Sequence, residues 1–181
     1  MLSRILNKFA SVKQKIAAHP SSASSDAPAP PLDEQPSGTP IPAVPTWNPN
    51  DVILDRYRIE QVMSGSMGKV YMSEHLGWGV KMAIKAPRSE VLADKEGMKR
   101  ILREANSWIR MGMHPNVATC YYVLSLNKVP HLFIEYVDGG SLADWLETGR
   151  CRNLRTALTL AIQFCHGMEY THSKAAARSS I

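Results

Sequence analysis

The chain has 181 residues, 44% of them hydrophobic and 20% charged, which fits one globular domain with a tail. Its net charge of +5 is mild and gathers in the first fifteen residues, and no basic stripe with interleaved aromatics follows, so a nucleic-acid partner is excluded. No run of eighteen apolar residues exists for a membrane-spanning helix, and Cys120, Cys151 and Cys165, odd in number and set in apolar segments, read as reduced core residues of a cytoplasmic protein.

Residues 1–18 contain no acidic residue. Leu2, Ile5, Phe9, Val12 and Ile16 recur at helical spacing, with Arg4, Lys8 and Lys15 off that stripe. The pattern suits a basic amphipathic helix making peripheral contact with an anionic membrane, a short coiled-coil seam, a targeting segment, or a frayed start. Residues 19–50 hold nine of the twelve prolines among Ser, Ala and Asp. Proline fixes φ and removes a donor, so this stretch reads as a disordered linker, with order beginning near Asp51.

Val52 to Met63 reads as a strand, Gly68 to Glu74 as a second and Gly79 to Ala86 as a third, stopped by Pro87. Residues 95–112 follow as a helix whose inward stripe is Met98, Ile101, Leu102, Ala105, Trp108 and Ile109. Ala118–Leu126 and His131–Tyr136 are two more strands. Ser141, with Asp144 three residues on, caps the next helix, and Asn153 caps a last one running to about Ser173. Three strands, a helix, two strands and two helices predict an α+β fold: a five-stranded antiparallel sheet with a helix on one face, leading into an unfinished helical region. The last helix is apolar nearly all round, through Leu154, Leu158, Ile162, Phe164, Cys165 and Met168 among others. It is therefore expected to expose an apolar patch that demands a partner, a dimer or aggregation.

The chemistry gathers around Lys85, which closes the apolar run Val80–Ile84, and Glu104, nineteen residues later on the helix. Upstream lies the hairpin Ser64-Gly65-Ser66-Met67-Gly68-Lys69-Val70. Glycines there let backbone N–H groups approach phosphate oxygens, a lysine on the next strand reaches the phosphates, and an acidic helix residue steadies that lysine. Val70 and Ala83 are small apolar residues suited to one face of an adenine ring. A P-loop reading fails because Gly68-Lys69 is followed by Val70 rather than Ser or Thr. A dinucleotide-fold reading fails because a helix does not follow the hairpin directly. His114, Trp108 and Trp145 read as structural residues.

From about Ile53 to Lys174 the chain resembles the first half of a serine/threonine protein kinase domain, in a bacterial-type style. The resemblance rests on Met63–Tyr71 as glycine loop, Met82-Ala83-Ile84-Lys85, Arg103-Glu104-Ala105, His114-Pro115-Asn116-Val117 and the hinge Phe133–Leu142. It implies domain boundaries of 51–174, with the sheet lobe at 51–137 and the start of the helical lobe at 138–174, before a tail at 175–181. It implies ATP as ligand, held by Val62, Met63, Gly65, Gly68, Val70, Ala83, Lys85, Ile134, Glu135, Val137 and Ser141. Lys85 and Glu104 would be the catalytic pair and Ile134 the gatekeeper. A protein carrying Ser or Thr would be the substrate, and Mg2+ would serve the full-length family.

Two departures stand out. Met63 occupies the place of the family's first loop glycine, where a side chain crowds the turn. After Glu169–Lys174 the sequence reads Ala175-Ala176-Ala177-Arg178-Ser179-Ser180-Ile181, without the family's His-Arg-Asp or Asp-Phe-Gly. The resemblance therefore implies that this chain lacks the metal ligands and the base, and is catalytically incomplete through a frameshift, an early stop or a partial gene record. The rival reading is a non-enzymatic binding or scaffold module docking through its last helix.

Overall fold

The computed structural model describes residues 43–65, 68–92 and 95–176. Six strands form one antiparallel sheet: β1 (Val52–Ile53), β2 (Tyr57–Gly65), β3 (Gly68–His75), β4 (Val80–Ala86), β5 (Cys120–Leu126) and β6 (Val129–Glu135), in the spatial order β1-β2-β3-β4-β6-β5. The helices are α1 (Ser89–Leu92), α2 (Lys95–Met111), α3 (Leu142–Glu147) and α4 (Leu154–Ala176).

Period-two alternation gives the sheet two faces. On one, Tyr57, Ile59, Tyr71, Met82, Ile84 and Phe133 are buried in a single cluster. Val44 and Trp47 pack against this cluster, so the packed chain begins before Asp51, inside the stretch expected to be linker. Trp47 closes on the sheet with its ring centroid 4.8 Å from Tyr71 and 5.2 Å from His131. Burying so large an aromatic outweighs the poor local propensity of its proline-rich neighbours.

The expected strand Val52–Met63 is instead two strands joined by a turn, because Leu54 and Asp55 both take left-handed backbone (φ 52° and 51°). Asn127 and Lys128 do the same (φ 52° and 64°) between β5 and β6, the two-residue turn whose twist matches its flanking strands. Val129 and Pro130 therefore belong to β6 rather than to the connection. Pro130 is tolerated beside the strand's first residue, where one ladder donor matters least. The short helix α1 was not expected.

Helix α2 turns Gly97 and Ala105 fully inward with Met98, Ile101, Leu102, Trp108 and Ile109 half-buried, as its periodicity requires. It rests against β5, and the Trp108 indole N–H donates to the Ala118 carbonyl at 2.7 Å. Ser141 and Asp144 form the expected reciprocal cap on α3, with Ser141 N donating to the Asp144 carboxylate at 2.7 Å and Asp144 N to Ser141 Oγ at 3.2 Å. Asn153 Oδ1 accepts from Arg155 N at 2.8 Å at the start of α4.

Helix α4 carries apolar residues on both its packed and its exposed sides. Its half-buried side mixes Thr156, Ala157, Thr159, Leu160, Gln163 and Tyr170, with Gly167 buried, while Leu154, Leu158, Ile162, Phe164 and Met168 are exposed. Gly167 allows close docking, since a Cβ there would lie 2.7 Å from the Asn116 carbonyl oxygen. Tyr170 completes the contact: its hydroxyl donates to the Met111 carbonyl and its ring stacks on His114 at 4.4 Å. The expected apolar patch is present. Cys165 lies exposed within it, whereas the sequence placed all three cysteines in the core. Cys120 alone is fully buried, and burial pushes its thiol up to about 11.

Candidate functional site: the sheet face between the glycine hairpin and the hinge

Cross-strand partners share a face of a sheet. Val70 pairs with Lys85, Met72 with Ala83, Ala83 with Ile134, and Lys85 with Leu132. Val70, Ala83, Lys85 and Ile134, picked from separate motifs, therefore stand together on the face opposite the Tyr71–Phe133 core. Met72 and Leu132 join them. Neither belongs to a recognised motif, although Leu132 lies two residues before Ile134 in an alternating strand.

Met63 pairs with Val70 and so belongs to this face, while Val62 pairs with Tyr71 and packs against the opposite core. Gly68 holds φ at 124°, and a Cβ there would lie 2.4 Å from the Ala86 carbonyl oxygen. The hairpin is thus folded tightly onto the end of β4, and only glycine fits. Gly65 has nothing within 4 Å of the position a Cβ would take, which leaves the main chain there open to a ligand.

At the other end of the face, Glu135 is bound twice to Thr119. Its N–H donates to the Thr119 carbonyl at 2.8 Å, and its carboxylate accepts from Thr119 N at 3.0 Å. Val137 is exposed, and its main chain makes no hydrogen bond to a described residue. The Ser141 hydroxyl donates to the Asp144 carboxylate at 2.8 Å, so this side chain serves the α3 cap. Bonds from the Ser141 N–H and hydroxyl hold the Asp144 carboxyl below its ordinary range. Burial, with the Glu135 charge nearby, raises the Tyr121 phenol, which stays neutral behind the hinge.

Lys85 is half-buried on this face and Glu104 is exposed on α2. None of the ion pairs among the described residues joins the two. Helix α2 is footed on β5, two strands from β4 at roughly 5 Å per strand. Glu104 instead lines a groove of about 890 Å3 between α2 and the end of α4, with Arg100, Arg103, Arg110, Trp108 and Lys174. A second cavity of about 250 Å3 lies behind the hinge, lined by Asn116, Val117, Glu135, Val137 and Phe164. No group of three or more His, Cys, Asp or Glu among the described residues is placed to hold a metal ion.

A strand lysine, a glycine hairpin and a small apolar patch thus share one sheet face, which ends at an exposed main chain after the last strand. The family model of the protein kinase domain matches residues 57–177. The chain belongs to the protein kinase family. Its kinase relatives include a probable serine/threonine-protein kinase of Dictyostelium discoideum, 34% identical over 110 residues, covering 61% of this chain and 13% of that protein. The carbon catabolite-derepressing protein kinase of Candida tropicalis is 31% identical over 140 residues, 74% of this chain and 22% of the relative. CBL-interacting protein kinase 16 of Oryza sativa subsp. japonica is 33% identical over 127 residues, 67% of this chain and 28% of the relative. The chain thus spans between 13% and 28% of the length of these three relatives, all of them eukaryotic, and nothing in them supports a bacterial style.

The kinase sheet lobe and a few helices account for the described fold: a curled antiparallel sheet, the helix α2 beside it, and α3 and α4 after the hinge.

Proposed function

We propose that this kinase lobe binds ATP on the face formed by Val70, Ala83, Lys85 and Ile134. The adenine lies against Val70 and Ala83. The Glu135 carbonyl accepts from its amino group and the Val137 N–H donates to its ring. Lys85 neutralises the phosphates, and Gly65 and Gly68 bring main-chain N–H groups to them. The single observation that carries this reading is the cross-strand register that sets Val70, Ala83, Lys85 and Ile134 on one face. The residues fit the adenosine and phosphate parts of the nucleotide. They do not fit Mg2+, because no acidic cluster among the described residues faces the site.

Glu104 becomes the partner of Lys85 only if α2 shifts toward β4. With Glu104 exposed, such a pair contributes on the order of 1 kcal/mol, so bound phosphate rather than the pair itself drives the shift. In full-length relatives the reaction is phosphoryl transfer from ATP to a protein Ser or Thr. These 181 residues hold no His-Arg-Asp or Asp-Phe-Gly carboxylate, and we propose that by themselves they bind nucleotide without turnover. Titration calorimetry of this chain with ATP, against Lys85→Met, tests the site. A binding heat that drops about tenfold in affinity in the variant supports it, and equal heats for both proteins exclude it.

A second reading is favoured by α4. Its exposed stripe of Leu154, Leu158, Ile162 and Phe164 suits docking onto another protein surface, as in a scaffold module. Monodisperse, partner-bound protein in cells supports that reading, and rapid degradation of the free chain counts against it. Peripheral membrane contact by residues 1–18 rests on the sequence pattern, since these residues lie outside those described. Co-sedimentation with anionic vesicles, lost on deletion of 1–18, tests it.

A further inference from the structure

We propose that α4 pairs with α4 of a second copy of this chain, the two helices running antiparallel through their exposed apolar stripe. The pairing rests on the docking reading of α4 given above and names its occupant.

The period of the stripe is that of a helix pair. Leu154, Leu158, Ala161, Cys165, Met168 and His172 follow one another in alternating steps of four and three, and all six are exposed. That alternation keeps a single row facing a partner helix over several turns. The row is about 27 Å long at the rise of an α-helix. The opposite side of α4, through Gln163, Gly167 and Tyr170, is the one seated on the lobe. The row therefore faces away from the lobe and is open along its length.

Charge selects the direction of the partner. Arg155 and Glu169 flank the row on the same side, each one residue after a member of it and near opposite ends. Both are exposed. Arg155 has no ion pair among the described residues, and Glu169 has a 3.8 Å contact with His166, which counts as a pair only when the imidazole is protonated. In an antiparallel pair like flanks meet, so Arg155 of each copy faces Glu169 of the other and an ion pair forms at both ends. In a parallel pair this flank meets the opposite one, which carries Ala157, Phe164 and Thr171, and neither charge is answered.

The same register fits the apolar side chains. It sets Leu158 against Met168 of the second copy and Ala161 against Cys165 of the second copy, so that larger and smaller layers alternate. Ile162 and Phe164 each lie beside their own counterpart at the two-fold axis. A slip of one heptad in either direction sets Ile162 against Arg155 or Glu169 and loses both ion pairs. A self-complementary contact of this kind closes on itself and stops at two copies, whereas a patch without it goes on to aggregate.

The test is sedimentation velocity of the 181-residue chain over a range of concentrations, under reducing conditions so that Cys165 contributes no covalent link. The proteins are the parent, Arg155→Glu, Glu169→Arg, the double variant and Ile162→Glu, with far-UV circular dichroism to establish that each keeps its helix content. The parent should be a dimer. Each single reversal should weaken dimerisation about tenfold, because it turns attraction into repulsion at both ends, and the double variant should return to within about threefold of the parent. Ile162→Glu, which puts two carboxylates at the axis, should be a monomer. A double variant no tighter than the single ones overturns the antiparallel pairing and leaves the docking face standing. A monomeric parent, or one that grows beyond the dimer with concentration, overturns the second copy as occupant. A dimer indifferent to Ile162→Glu places the contact elsewhere, and both the pairing and the docking reading of α4 fall.

Discussion

Replacing Gly68 by alanine should destabilise the lobe sharply, while the same change at Gly65, three residues away in the same hairpin, should be nearly silent. Gly68 holds φ at 124°, a backbone state that residues with a Cβ rarely enter, and such states cost on the order of 1–3 kcal/mol. The added methyl would also lie 2.4 Å from the Ala86 carbonyl oxygen, a backbone atom that moves only if β4 moves with it. Alanine restricts the unfolded chain and returns about 0.4–1 kcal/mol. The net expectation is a loss of about 2 kcal/mol, a factor of roughly 30 in the folded-to-unfolded ratio. Gly65 has no positive φ, and a methyl there meets nothing within 4 Å, so its variant should stay within about 0.5 kcal/mol of the parent. Urea unfolding followed by tryptophan fluorescence reads both, with Trp47 and Trp78 packed against the sheet core as reporters. Coincident midpoints for the two variants would refute the reasoning, because they would mean that the hairpin is not seated on Ala86.

Burial lowers the pKa of His131 and of His75, so the folded chain binds fewer protons than the unfolded chain, whose imidazoles titrate near about 6.5. Their stabilising contribution is present above that pH and is lost as pH falls from it through the lowered folded values; His131→Phe should flatten the decline, and an unchanged slope would contradict the assignment. Ser141→Ala removes the reciprocal cap of α3 and should cost about 1 kcal/mol, visible as faster amide exchange confined to residues 142–147. Tyr170→Phe keeps the stack on His114 but deletes the bond to the Met111 carbonyl; a loss of about 1 kcal/mol in urea unfolding is expected, and none would place α4 elsewhere.

Much of this architecture is legible in the sequence because alternation and helical periodicity are strong signals. The β4 run Val80–Ala86 and the α2 stripe around Ala105 are examples, as is the Ser141–Asp144 cap. The turn at Leu54-Asp55 was hidden because leucine gives no hint of left-handed backbone, and only the packing of Ile53 and Tyr57 on either side enforces it. Trp47 was hidden by its prolines: composition marks a linker, while one half-buried ring packed against the sheet makes the segment part of the lobe. Within the site, register explains what motif matching could not. Val62 and Met63 are neighbours in the glycine loop but lie on opposite faces, and Leu132 shares the face without belonging to any motif. Spacing alone joined Lys85 to Glu104. It is blind to where α2 rests, and so to the groove among arginines where Glu104 lies.

The most direct test of the account is a residue-resolved map of ATP on the isotope-labelled chain by amide and methyl NMR. The account predicts shifts concentrated at Val70, Ala83, Ile134 and Val137, with Gly65 and Gly68 moving for ATP and little for adenosine. Shifts gathered instead around Arg100, Arg110 and Lys174 in the α2–α4 groove, with the Val70–Ile134 face silent, would contradict it.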